Sequence, residues 1–547
     1  MRARLEDNFA SHFEHIADLV PSRVAVAAGE RELTWAQFDE LADRLAGHLA
    51  AHGIRAGDRV ALNARNSPEY LVALHALFKL MAVPVNVNYR YRAEEVRQIL
   101  RSARVRAVIA DADLLDVVRE AAAPLDDCGL VVAVDPAGGF GSAVAAAPRR
   151  PRRPRGDTEW LLFTGGTTGY PKAVMGSQTE RLRAVRGGGF ATLGVTAPAD
   201  DVEALHQALD IDPHGPRGTV LLLAPPLMHG TGLYSALGAL ATGAPVALLP
   251  GRRTTGADIL ETIRRHGVSE LVIVGDAFAL RLLDALDEAA AAGRPLGIDT
   301  LRRIRSIGAV WSQGVKRRLL AYADLTLIDT IAASEGGVYA TSSVTRATID
   351  DEGASFRLAT GARLLDEDDH DVEPGSGKVG LLAAPVVADA GYEGDPEKTA
   401  DAFHDIDGVR YSIPGDMAVL EADGRLRLLG RGSSVINTGG EKVYADEVEL
   451  VLHEHPAVRD AIVLGVPDRH WGSSVAAVVS LERDAEADPD ELAAFVGTRL
   501  ASYKKPRRIA FVPEVQRLNT GKADLRWARG QFEDQDAALT HPAGSAG

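Results

Sequence analysis

Helix-like and strand-like patterns alternate near the start of this chain. Residues 35–52 and 68–80 repeat apolar side chains at the spacing of amphipathic helices, while residues 59–62 and 105–110 are short apolar runs typical of strands. A strand followed by a helix usually returns to its sheet as a parallel strand. The alternation therefore predicts an α/β fold with a mostly parallel sheet covered by helices.

The composition limits the possible classes of protein. A length of 547 residues is too great for one ordinary core and predicts at least two domains. The net charge of −16 argues against nucleic-acid binding or an anionic membrane surface. Cys128 is the only cysteine, so we expect a buried thiol and no intrachain disulfide. Because we find neither a secretory signal nor an apolar run of ~18 residues, a cytoplasmic protein is expected.

A loop dense in glycine and threonine follows a short apolar run. Residues 163–175 read Phe-Thr-Gly-Gly-Thr-Thr-Gly-Tyr-Pro-Lys-Ala-Val-Met. Glycines allow a ligand to approach the backbone, hydroxyls donate hydrogen bonds and a lysine supplies positive charge, which together suit a polyphosphate. Two residues separate the last glycine from the lysine, so the loop is not a Walker A motif. The predicted phosphate ligands are Thr164, Gly165, Gly166, Thr167, Thr168, Gly169 and Lys172. A glycine-rich hairpin turn is the alternative.

This loop resembles the phosphate loop of the adenylate-forming superfamily, which includes acyl-CoA synthetases, luciferases and peptide-synthetase adenylation domains. Residues 274–278 and 436–443 most resemble acyl-CoA synthetases of steroid side-chain and polycyclic acid metabolism. The resemblance implies a large N-terminal domain of parallel, helix-covered sheets with a β-barrel-like subdomain, and a small mobile α+β C-terminal domain. From a composition shift we place these domains at residues 1–430 and 431–530, with a disordered tail at 531–547.

Two further segments resemble nucleotide-binding motifs of the superfamily. In residues 328–336, Glu335 falls on the glutamate that holds magnesium, and Ser334 on the hydroxyl residue that contacts the α-phosphate. Asp416 matches the aspartate that accepts hydrogen bonds from both ribose hydroxyls, and Arg431 matches an arginine that also reaches the ribose. A carboxylate at a helix start is the alternative for the glutamate. Turn or surface roles are the alternatives for the other two.

The C-terminal part resembles the segments that act in the small domain. Lys522 matches the lysine that bridges the attacking carboxylate and the α-phosphate, where two anions need a cation. A solvated surface lysine is the alternative. A segment resembling the lining of the thiol tunnel contains Gly439, Gly440, Glu441 and Lys442, and its glycines would let a phosphopantetheine arm pass. A hairpin turn is the alternative there.

The acyl group is expected to lie among three segments in the middle of the chain. His229 matches a histidine or aromatic residue near the acyl pocket in relatives, and we expect it in the pocket wall rather than in acid–base catalysis. Small residues at 274–278 and 306–311 suggest room for a bulky acyl group. The predicted pocket residues are His229, Gly275, Asp276, Gly308, Ala309 and Ala332.

These matches imply an ATP-dependent, AMP-forming acid–CoA ligase. Its catalytic residues would be Lys522, Glu335 and Lys172, with Glu335 as the metal ligand. A carboxylate attacks the α-phosphate of ATP, and coenzyme A then displaces AMP, while the small domain alternates between two positions. The implied cofactors are ATP, Mg²⁺ and coenzyme A, and the substrate is a fatty, terpenoid or steroid acid. A homodimer is one candidate assembly.

Departures from the superfamily pattern keep other functions open. Ile331 stands where an aromatic residue usually stacks on adenine, Ala173 replaces a glycine after the loop lysine, and Ser433 replaces the usual hinge residue. One alternative is an enzyme that keeps mainly the thioester-forming half and receives acyl-adenylate from a separate adenylating enzyme. The others are an adenylation domain that loads a carrier protein, and a non-catalytic nucleotide-binding module.

Two connecting segments are expected to be irregular and exposed. Residues 145–156 are rich in proline and arginine, which predicts an extended, solvated connector. A basic contact to a substrate phosphate is its alternative. Residues 196–218 are acidic with little periodicity, which predicts a surface excursion.

Overall fold

The chain divides into two compact units. In this computed structural model the described residues are 7–135, 139–164, 172–195, 201–249, 254–309, 311–352, 355–431, 435–438, 441–468, 472–518 and 521–540. Unit 1 comprises the residues up to 273, with 284–304 and 386–403. Unit 2 comprises residues 274–283, 305–385 and those from 404 onward.

The helices alternate with strands through most of the chain. In chain order they are α1 (Phe9–Leu19), α2 (Trp35–Ala51), α3 (Pro68–Leu80), α4 (Ala93–Ser102), α5 (Leu115–Ala122), α6 (Ser142–Ala145), α7 (Gln178–Thr192), α8 (Asp201–Leu209), α9 (Gly230–Leu240), α10 (Gly256–His266), α11 (Gly275–Ala291), α12 (Gln313–Tyr322), α13 (Ile349–Glu352), α14 (Pro396–Ala402), α15 (Ala445–His453), α16 (Pro489–Gly497) and α17 (Leu525–Thr540).

The strands are short in unit 1 and longer toward the C-terminus. They are β1 (Val24–Ala28), β2 (Arg31–Thr34), β3 (Arg59–Asn63), β4 (Val83–Asn86), β5 (Ala107–Asp111), β6 (Leu130–Val134), β7 (Glu159–Thr164), β8 (Lys172–Ser177), β9 (Leu221–Leu223), β10 (Val246–Leu248), β11 (Glu270–Ile273), β12 (Arg303–Ile307), β13 (Thr326–Ala332), β14 (Val338–Val344), β15 (Arg357–Leu358), β16 (Arg363–Leu365), β17 (Val379–Pro385), β18 (Gly391–Tyr392), β19 (Phe403–Ile406), β20 (Val409–Ser412), β21 (Asp416–Leu420), β22 (Leu426–Arg431), β23 (Val435–Thr438), β24 (Glu441–Tyr444), β25 (Val458–Asp468), β26 (Gly472–Leu481) and β27 (Arg508–Phe511).

Unit 1 contains two largely parallel sheets. Strands β11, β9, β10 and β1 lie side by side and parallel, with β2 antiparallel at the edge. Strands β4, β3, β5 and β6 form an all-parallel sheet. Helix α3 has the bounds that its pattern predicted, because the Ser67 hydroxyl caps its start and Pro68 fits its first turn. The predicted parallel, helix-covered sheets are confirmed.

The arginine-rich connector is irregular and mostly exposed, as predicted, but the Arg155 side chain is an exception. The Arg155 side chain is 5% exposed and its guanidinium lies 2.7 Å from the Glu14 carboxylate. Arg149 donates to the Asp43 carboxylate at 3.1 Å. These arginines pack against acidic side chains of α1 and α2, which would otherwise carry uncompensated charge away from water.

A lysine lies at the centre of this acidic group. Lys79 on α3 places its ammonium 2.8 Å from Glu14, 2.8 Å from Asp39 and 2.7 Å from Asp43. All four side chains are buried. His75, one turn earlier on α3, lies 2.9 Å from the Asp39 carboxylate. We call Glu14, Asp39, Asp43, His75, Lys79 and Arg155 the ionic cluster of unit 1.

Two other segments that were expected to be irregular contain helices. Residues 196–218 contain α8, whose Ala204, Leu205 and Ala208 pack into the large apolar core of unit 1. The tail predicted to be disordered from residue 531 is helical as far as Thr540, in α17. Residues 541–547 lie outside the described part of the chain.

Unit 2 is dominated by antiparallel sheets and ends in a small α+β region. One sheet has the order β19-β20-β17-β21-β22, with β16 also paired to β17, and another group pairs β13, β14 and β15. Farther along, β26 lies between antiparallel β25 and parallel β27. Alternate residues of β26 enter two different apolar clusters, so both faces of this strand are covered.

Cys128 is buried and carries a free thiol, as expected. Burial raises the pKa of this thiol to about 11. Across the described ranges, no helix combines the length and apolar character needed to cross a lipid bilayer.

Candidate active site

The predicted phosphate loop connects two antiparallel strands. Strands β7 and β8 pair so that Thr164 lies opposite Lys172. The connection is thus a hairpin, which was the alternative for this loop, and the hairpin sets the predicted threonine and lysine side by side. Residues 165–171, with Gly165, Gly166, Thr167, Thr168 and Gly169, lie outside the described residues.

Lys172 is surrounded by groups that the sequence did not indicate. Its ammonium lies 3.4 Å from the Asp395 carboxylate and 5.5 Å from the centre of the Tyr392 ring. Burial and the neighbouring Lys398 ammonium lower the pKa of Lys172, while Asp395 opposes them. Pairing of β18 with β8 brings this later segment to the lysine. Because Lys172 and Asp395 are over two hundred residues apart in sequence, no local pattern predicts their contact.

One amide side chain anchors the start of the phosphate loop. Asn86, at the end of β4, donates to the Phe163 carbonyl at 2.8 Å and accepts from the Phe163 amide at 2.7 Å. Its second N–H donates to the Met228 carbonyl at 2.7 Å. Asn86 therefore joins the residue before Thr164 to the residue before His229. The sequence did not indicate this role, because a single asparagine in an apolar strand belongs to no recognisable motif.

His229 stands at the start of α9. It is the N-cap residue of that helix and its carbonyl accepts from the Leu233 amide at 2.9 Å. The preceding turn is held by Asn66, which accepts from the Leu227 amide at 2.7 Å and donates to the Pro225 carbonyl at 3.0 Å. Neutral side-chain amides of unit 1 thus hold Phe163, before Thr164, and the turn that precedes His229.

Ala173 does not occupy a strained position. It lies in β8 opposite Phe163, is buried, and is not among the residues with positive φ. The alanine that replaces a glycine after the loop lysine therefore causes no backbone strain in this conformation.

Ser334 and Glu335 lie in the turn between β13 and β14. Both are half-buried, and the turn continues into Gly336 and Gly337, with φ of 118° and 85°. A Cβ on Gly337 would lie 2.7 Å from the Cβ of Ala384, so this turn packs closely on β17. We call residues 333–337 the glutamate turn.

The two predicted ribose residues come from neighbouring strands. Asp416 in β21 pairs directly with Arg431 in β22. Although the side chain of Arg431 is outside the described atoms, the register places both residues at the same end of the hairpin. Gly415, before Asp416, has a φ of 91°.

A buried tyrosine connects the glutamate turn with residues 412–416, which we call the Asp416 segment. The Tyr339 hydroxyl donates to the Gly336 carbonyl at 3.0 Å and lies 2.6 Å from the Ser412 hydroxyl. Neither residue was singled out in the sequence.

The two segments predicted to bound the acyl pocket contact each other. The Gly275 amide donates to the Ser306 hydroxyl at 3.0 Å, and the Ser312 amide donates to the Asp276 carboxylate at 2.9 Å. Asp276 is 2% exposed, and burial raises its pKa. Gly308, Ala309 and Ala332 are more accessible, in the turn after β12 and at the end of β13.

The turn carrying Lys522 packs against the same region. Gly521 has a φ of +78°, and a Cβ added there would lie 2.6 Å from the Val274 carbonyl oxygen. Lys522 itself is exposed, and its carbonyl accepts from the Leu518 amide at 2.8 Å. The structure therefore brings the predicted catalytic lysine next to the Gly275 segment.

The predicted thiol-tunnel segment is a β-hairpin. Strands β23 and β24 pair with Thr438 opposite Glu441 and with Lys442 opposite Asn437. Gly439 and Gly440 lie between the paired ends, outside the described residues, as do Ser433 and the predicted hinge. Glu441 is exposed.

Helix α15 carries buried titratable side chains in unit 2, among them Glu449 and His453. Glu449 accepts from the Val463 amide at 2.7 Å, and burial together with Asp446 raises its pKa to about 8. His453 lies 3.6 Å from Asp276 and 3.7 Å from Asp460. Arg517 donates to Asp460 at 2.6 Å.

Comparisons with known families agree with this fold. Residues 13–383 match the family described as AMP-binding enzyme, and residues 447–522 match the AMP-binding enzyme C-terminal domain. The 3-oxocholest-4-en-26-oate–CoA ligase of Rhodococcus rhodochrous is 37% identical, over 96% of each chain. The medium/long-chain-fatty-acid–CoA/3-oxocholest-4-en-26-oate–CoA ligase of Mycobacterium tuberculosis (strain ATCC 25618 / H37Rv) is 38% identical, over 98% of each chain.

Solved structures share the same architecture. The anthranilate CoA ligase AuaEII in complex with anthranoyl-AMP superposes with a TM-score of 0.80 at 22% identity, covering 96% of this chain and 98% of that one. The o-succinylbenzoate CoA synthetase MenE from Bacillus subtilis, in complex with OSB-AMP, gives a TM-score of 0.75 at 22% identity, covering 98% and 99%. These likenesses confirm the predicted α/β fold with its smaller C-terminal domain.

Proposed function

Because the chain belongs to the AMP-binding enzyme family, we propose that it activates a bulky carboxylic acid as an acyl-adenylate and transfers the acyl group to coenzyme A. The relatives named for steroid and long-chain fatty acids support an acid of that class. The observation that carries the proposal is the link between the glutamate turn and the Asp416 segment. Through Tyr339 and Ser412, it connects the turn that carries the predicted metal ligand with the residues that precede the predicted ribose ligand.

In the first half-reaction the acid carboxylate attacks the α-phosphorus of ATP, and pyrophosphate leaves. Both reactants are anions, so catalysis depends mainly on cations that hold them together. Lys522 bridges the carboxylate and the α-phosphate, and Lys172 binds the outer phosphates. The packing of Gly521 against Val274 supports this role for Lys522, because it sets the lysine turn beside the predicted acyl pocket.

The residues present fit a magnesium ion. A half-buried carboxylate on a close-packed turn offers a hard oxygen ligand at a fixed place. No group of three or more His, Cys, Asp or Glu side chains suited to a metal occurs among the described residues, which agrees with an ion that takes its other ligands from phosphate and water. Glu335 would hold this ion, which neutralises phosphate charge when bound.

In the second half-reaction the thiol of coenzyme A attacks the acyl carbonyl, and AMP leaves. Asp416 keeps the ribose in place through both steps, since AMP is present in both. The β23–β24 hairpin, with Gly439, Gly440, Glu441 and Lys442, would line the path of the thiol after residues 431–530 rotate about a hinge near Arg431. A protein that keeps only this second half is not favoured, because Ala173 has ordinary strand geometry.

The proposal is tested by supplying ATP, Mg²⁺ and coenzyme A with a steroid side-chain acid, a long-chain fatty acid or benzoate. We expect pyrophosphate release and acyl-CoA, detected by mass, with one of the first two acids. Lys522→Ala should abolish pyrophosphate release, whereas Lys378→Ala, in an exposed turn of unit 2, should not.

Preformed acyl-adenylates separate the alternatives. Acyl-CoA formed only from supplied adenylate would replace the proposal with the thioester-only enzyme. Acylation of carrier-bound phosphopantetheine but not of free coenzyme A would indicate a carrier-loading domain. Absence of every product, with nucleotide still bound, would leave a non-catalytic module.

A further inference from the structure

A pair of hydroxyl groups is buried where the two nucleotide motifs meet. Tyr339 and Ser412 are both 0% exposed, and their hydroxyl oxygens are 2.6 Å apart. The phenol proton is directed to the Gly336 carbonyl at 3.0 Å, so the serine hydroxyl donates to the phenol oxygen. The short chain of hydrogen bonds runs from Ser412 through Tyr339 to the main chain of the glutamate turn.

Each end of this chain is close in sequence to a predicted nucleotide ligand. Gly336 follows Glu335 directly, and Ser412 comes four residues before Asp416. At the other end of the glutamate turn, Gly337 packs so closely against Ala384 that a Cβ on Gly337 would clash with it. The glutamate turn is therefore held by packing on one side and by the Tyr339 hydrogen bond on the other. The Tyr339 hydrogen bond connects the turn, through Ser412, with the Asp416 segment.

The two hydroxyls lie in otherwise apolar surroundings. Tyr339 belongs to an apolar cluster with Phe356, Leu364 and Leu382, and phenylalanine at 339 would fill this space but leave the buried Gly336 carbonyl without its hydroxyl donor. Buried hydroxyls are costly unless they are paired, and a paired network fixes one arrangement of its members. Here that arrangement is the spacing between two functional segments.

We propose that Tyr339 and Ser412 are positioning residues that set the distance between Glu335 and Asp416, so that one nucleotide is held at its ribose and its phosphates simultaneously. This inference rests on the proposed function. Neither side chain needs to touch the nucleotide. Their effect passes through the main chain of the glutamate turn and of the segment before Asp416.

The two half-reactions should respond differently. Adenylation uses ATP, whose outer phosphates need Glu335 and its metal ion while the ribose needs Asp416. Thioester formation starts from acyl-adenylate, which has a ribose and one phosphate but no pyrophosphate portion. Loss of the correct spacing should therefore impair the first half-reaction and largely spare the second.

The test compares Tyr339→Phe, Ser412→Ala and the double variant in the full chain. Tyr339→Phe should raise the KM for MgATP in pyrophosphate release about tenfold, the size expected for one buried hydrogen bond. Acyl-CoA formation from a supplied acyl-adenylate should stay within about twofold of wild type. Because Tyr339→Phe already removes both hydrogen bonds of the chain, the double variant should be no worse than Tyr339→Phe alone.

Tyr70→Phe is the matched control, since Tyr70 is also a buried tyrosine but lies on α3 in unit 1. It should leave both half-reactions unchanged. Circular dichroism and thermal unfolding establish that each variant is folded.

Several outcomes would overturn the inference. One is an unchanged KM for MgATP in Tyr339→Phe, and another is an equal loss in both half-reactions, which would indicate a general structural role. Additive losses in the double variant would also exclude a shared bond. If the wild-type protein forms no product from acid, ATP and coenzyme A, the proposed function itself fails. That outcome is distinct from a failure of the positioning role, which is judged by comparing the variants with an active wild type.

Discussion

Buried carboxyl groups contact cations in the ionic cluster of unit 1, whereas Asp276 and Glu449 in unit 2 accept hydrogen bonds from main-chain amides. Burial disfavours ionisation of Glu14, yet Arg155 and Lys79 outweigh it and lower the pKa of this carboxyl. In unit 2 the reverse holds, since burial raises the pKa of Asp276 and of Glu449. Unit 2 also contains a buried carboxylate with a cation at hydrogen-bonding distance, Asp460 beside Arg517, so the contrast concerns Asp276 and Glu449.

The difference shows that burial alone does not determine what a carboxyl group contributes. In the ionic cluster, neighbouring basic groups lower the pKa of Glu14 and of Asp39, so stability depends on keeping each ion pair complete. In unit 2 a carboxyl that binds its proton tightly makes stability depend on pH. The four predictions below test this contrast and the anchoring contacts in each unit, from the largest expected effect to the smallest.

Removing the central cation of the ionic cluster should have the largest effect. Lys79→Met leaves three buried carboxylates without their shared ammonium. We expect a loss of about 3–5 kcal/mol in the free energy of unfolding, measured by urea denaturation. Arg264→Met, which removes an exposed ion pair on α10, is the control and should change little. A loss for Lys79→Met as small as that of the control would contradict the contrast.

The hydrogen-bond donor of the Asn86 side chain can be replaced by an acceptor without changing the size of the side chain. Asn86→Asp replaces an N–H₂ group that donates to the Phe163 and Met228 carbonyls with a carboxylate oxygen. We expect a loss of about 2–3 kcal/mol in stability, from unmet acceptors and a buried charge, together with a higher KM for ATP.

Asn88→Asp is the control for this change. The Asn88 side chain accepts from the Arg90 amide, and an aspartate can do the same. Equal stability and equal kinetics in the two variants would show that Asn86 does not anchor the phosphate loop.

Two glycines of unit 2 with the same backbone φ angle allow the effect of backbone strain to be distinguished from that of a steric contact. Gly521 and Gly408 both have a φ of +78°, but only the first faces a neighbouring atom, the Val274 carbonyl at 2.6 Å from an added Cβ. Alanine at either position should cost about 1 kcal/mol through backbone strain. Only Gly521→Ala should also slow pyrophosphate release, by about tenfold, because it displaces the Lys522 turn. Similar rates for the two variants would remove the link between this contact and Lys522.

The raised pKa of Glu449 predicts a dependence of stability on pH. The folded protein holds this proton up to about pH 8, whereas the unfolded chain releases it near pH 4.5. Stabilisation from the proton is therefore complete below pH 4.5 and is lost as the pH rises through about 8. Glu449→Gln lacks this loss, so its stability relative to wild type should increase by about 1.4 kcal/mol for each pH unit between 4.5 and 8.

The control for Glu449→Gln is Glu454→Gln, at the exposed end of α15, which pairs with Arg499. Its unfolding free energy, measured across the same pH range, should follow the wild-type curve. A constant difference between Glu449→Gln and wild type at every pH would mean that Glu449 is not the titrating group.

Periodic patterns located regular elements well. The predicted helix at 68–80 and the strand at 59–62 correspond to α3 and β3, because one buried face imposes its period on the sequence. Helix α8 was missed within an acidic segment, although Ala204, Leu205 and Ala208 lie on one face of it. Acidic residues on the opposite face obscured that signal.

The candidate site was less accessible to prediction than the fold. Motifs indicated single residues such as Glu335 and Asp416, but not what joins them. Asn86 contacts Phe163 and Met228, and Tyr339 contacts Ser412, across 77, 142 and 73 residues of sequence. Such pairs depend on how strands are ordered in space, which local patterns of polarity do not encode.

The lone buried thiol makes this protein convenient for spectroscopic labelling. With a pKa of about 11, Cys128 is ionised at neutral pH to the extent of only about one part in ten thousand, so it reacts slowly with maleimides. Cysteines introduced at chosen exposed positions can therefore carry a donor and an acceptor dye without first deleting the native one. Energy transfer between such dyes would report directly on any rotation of the C-terminal region during turnover.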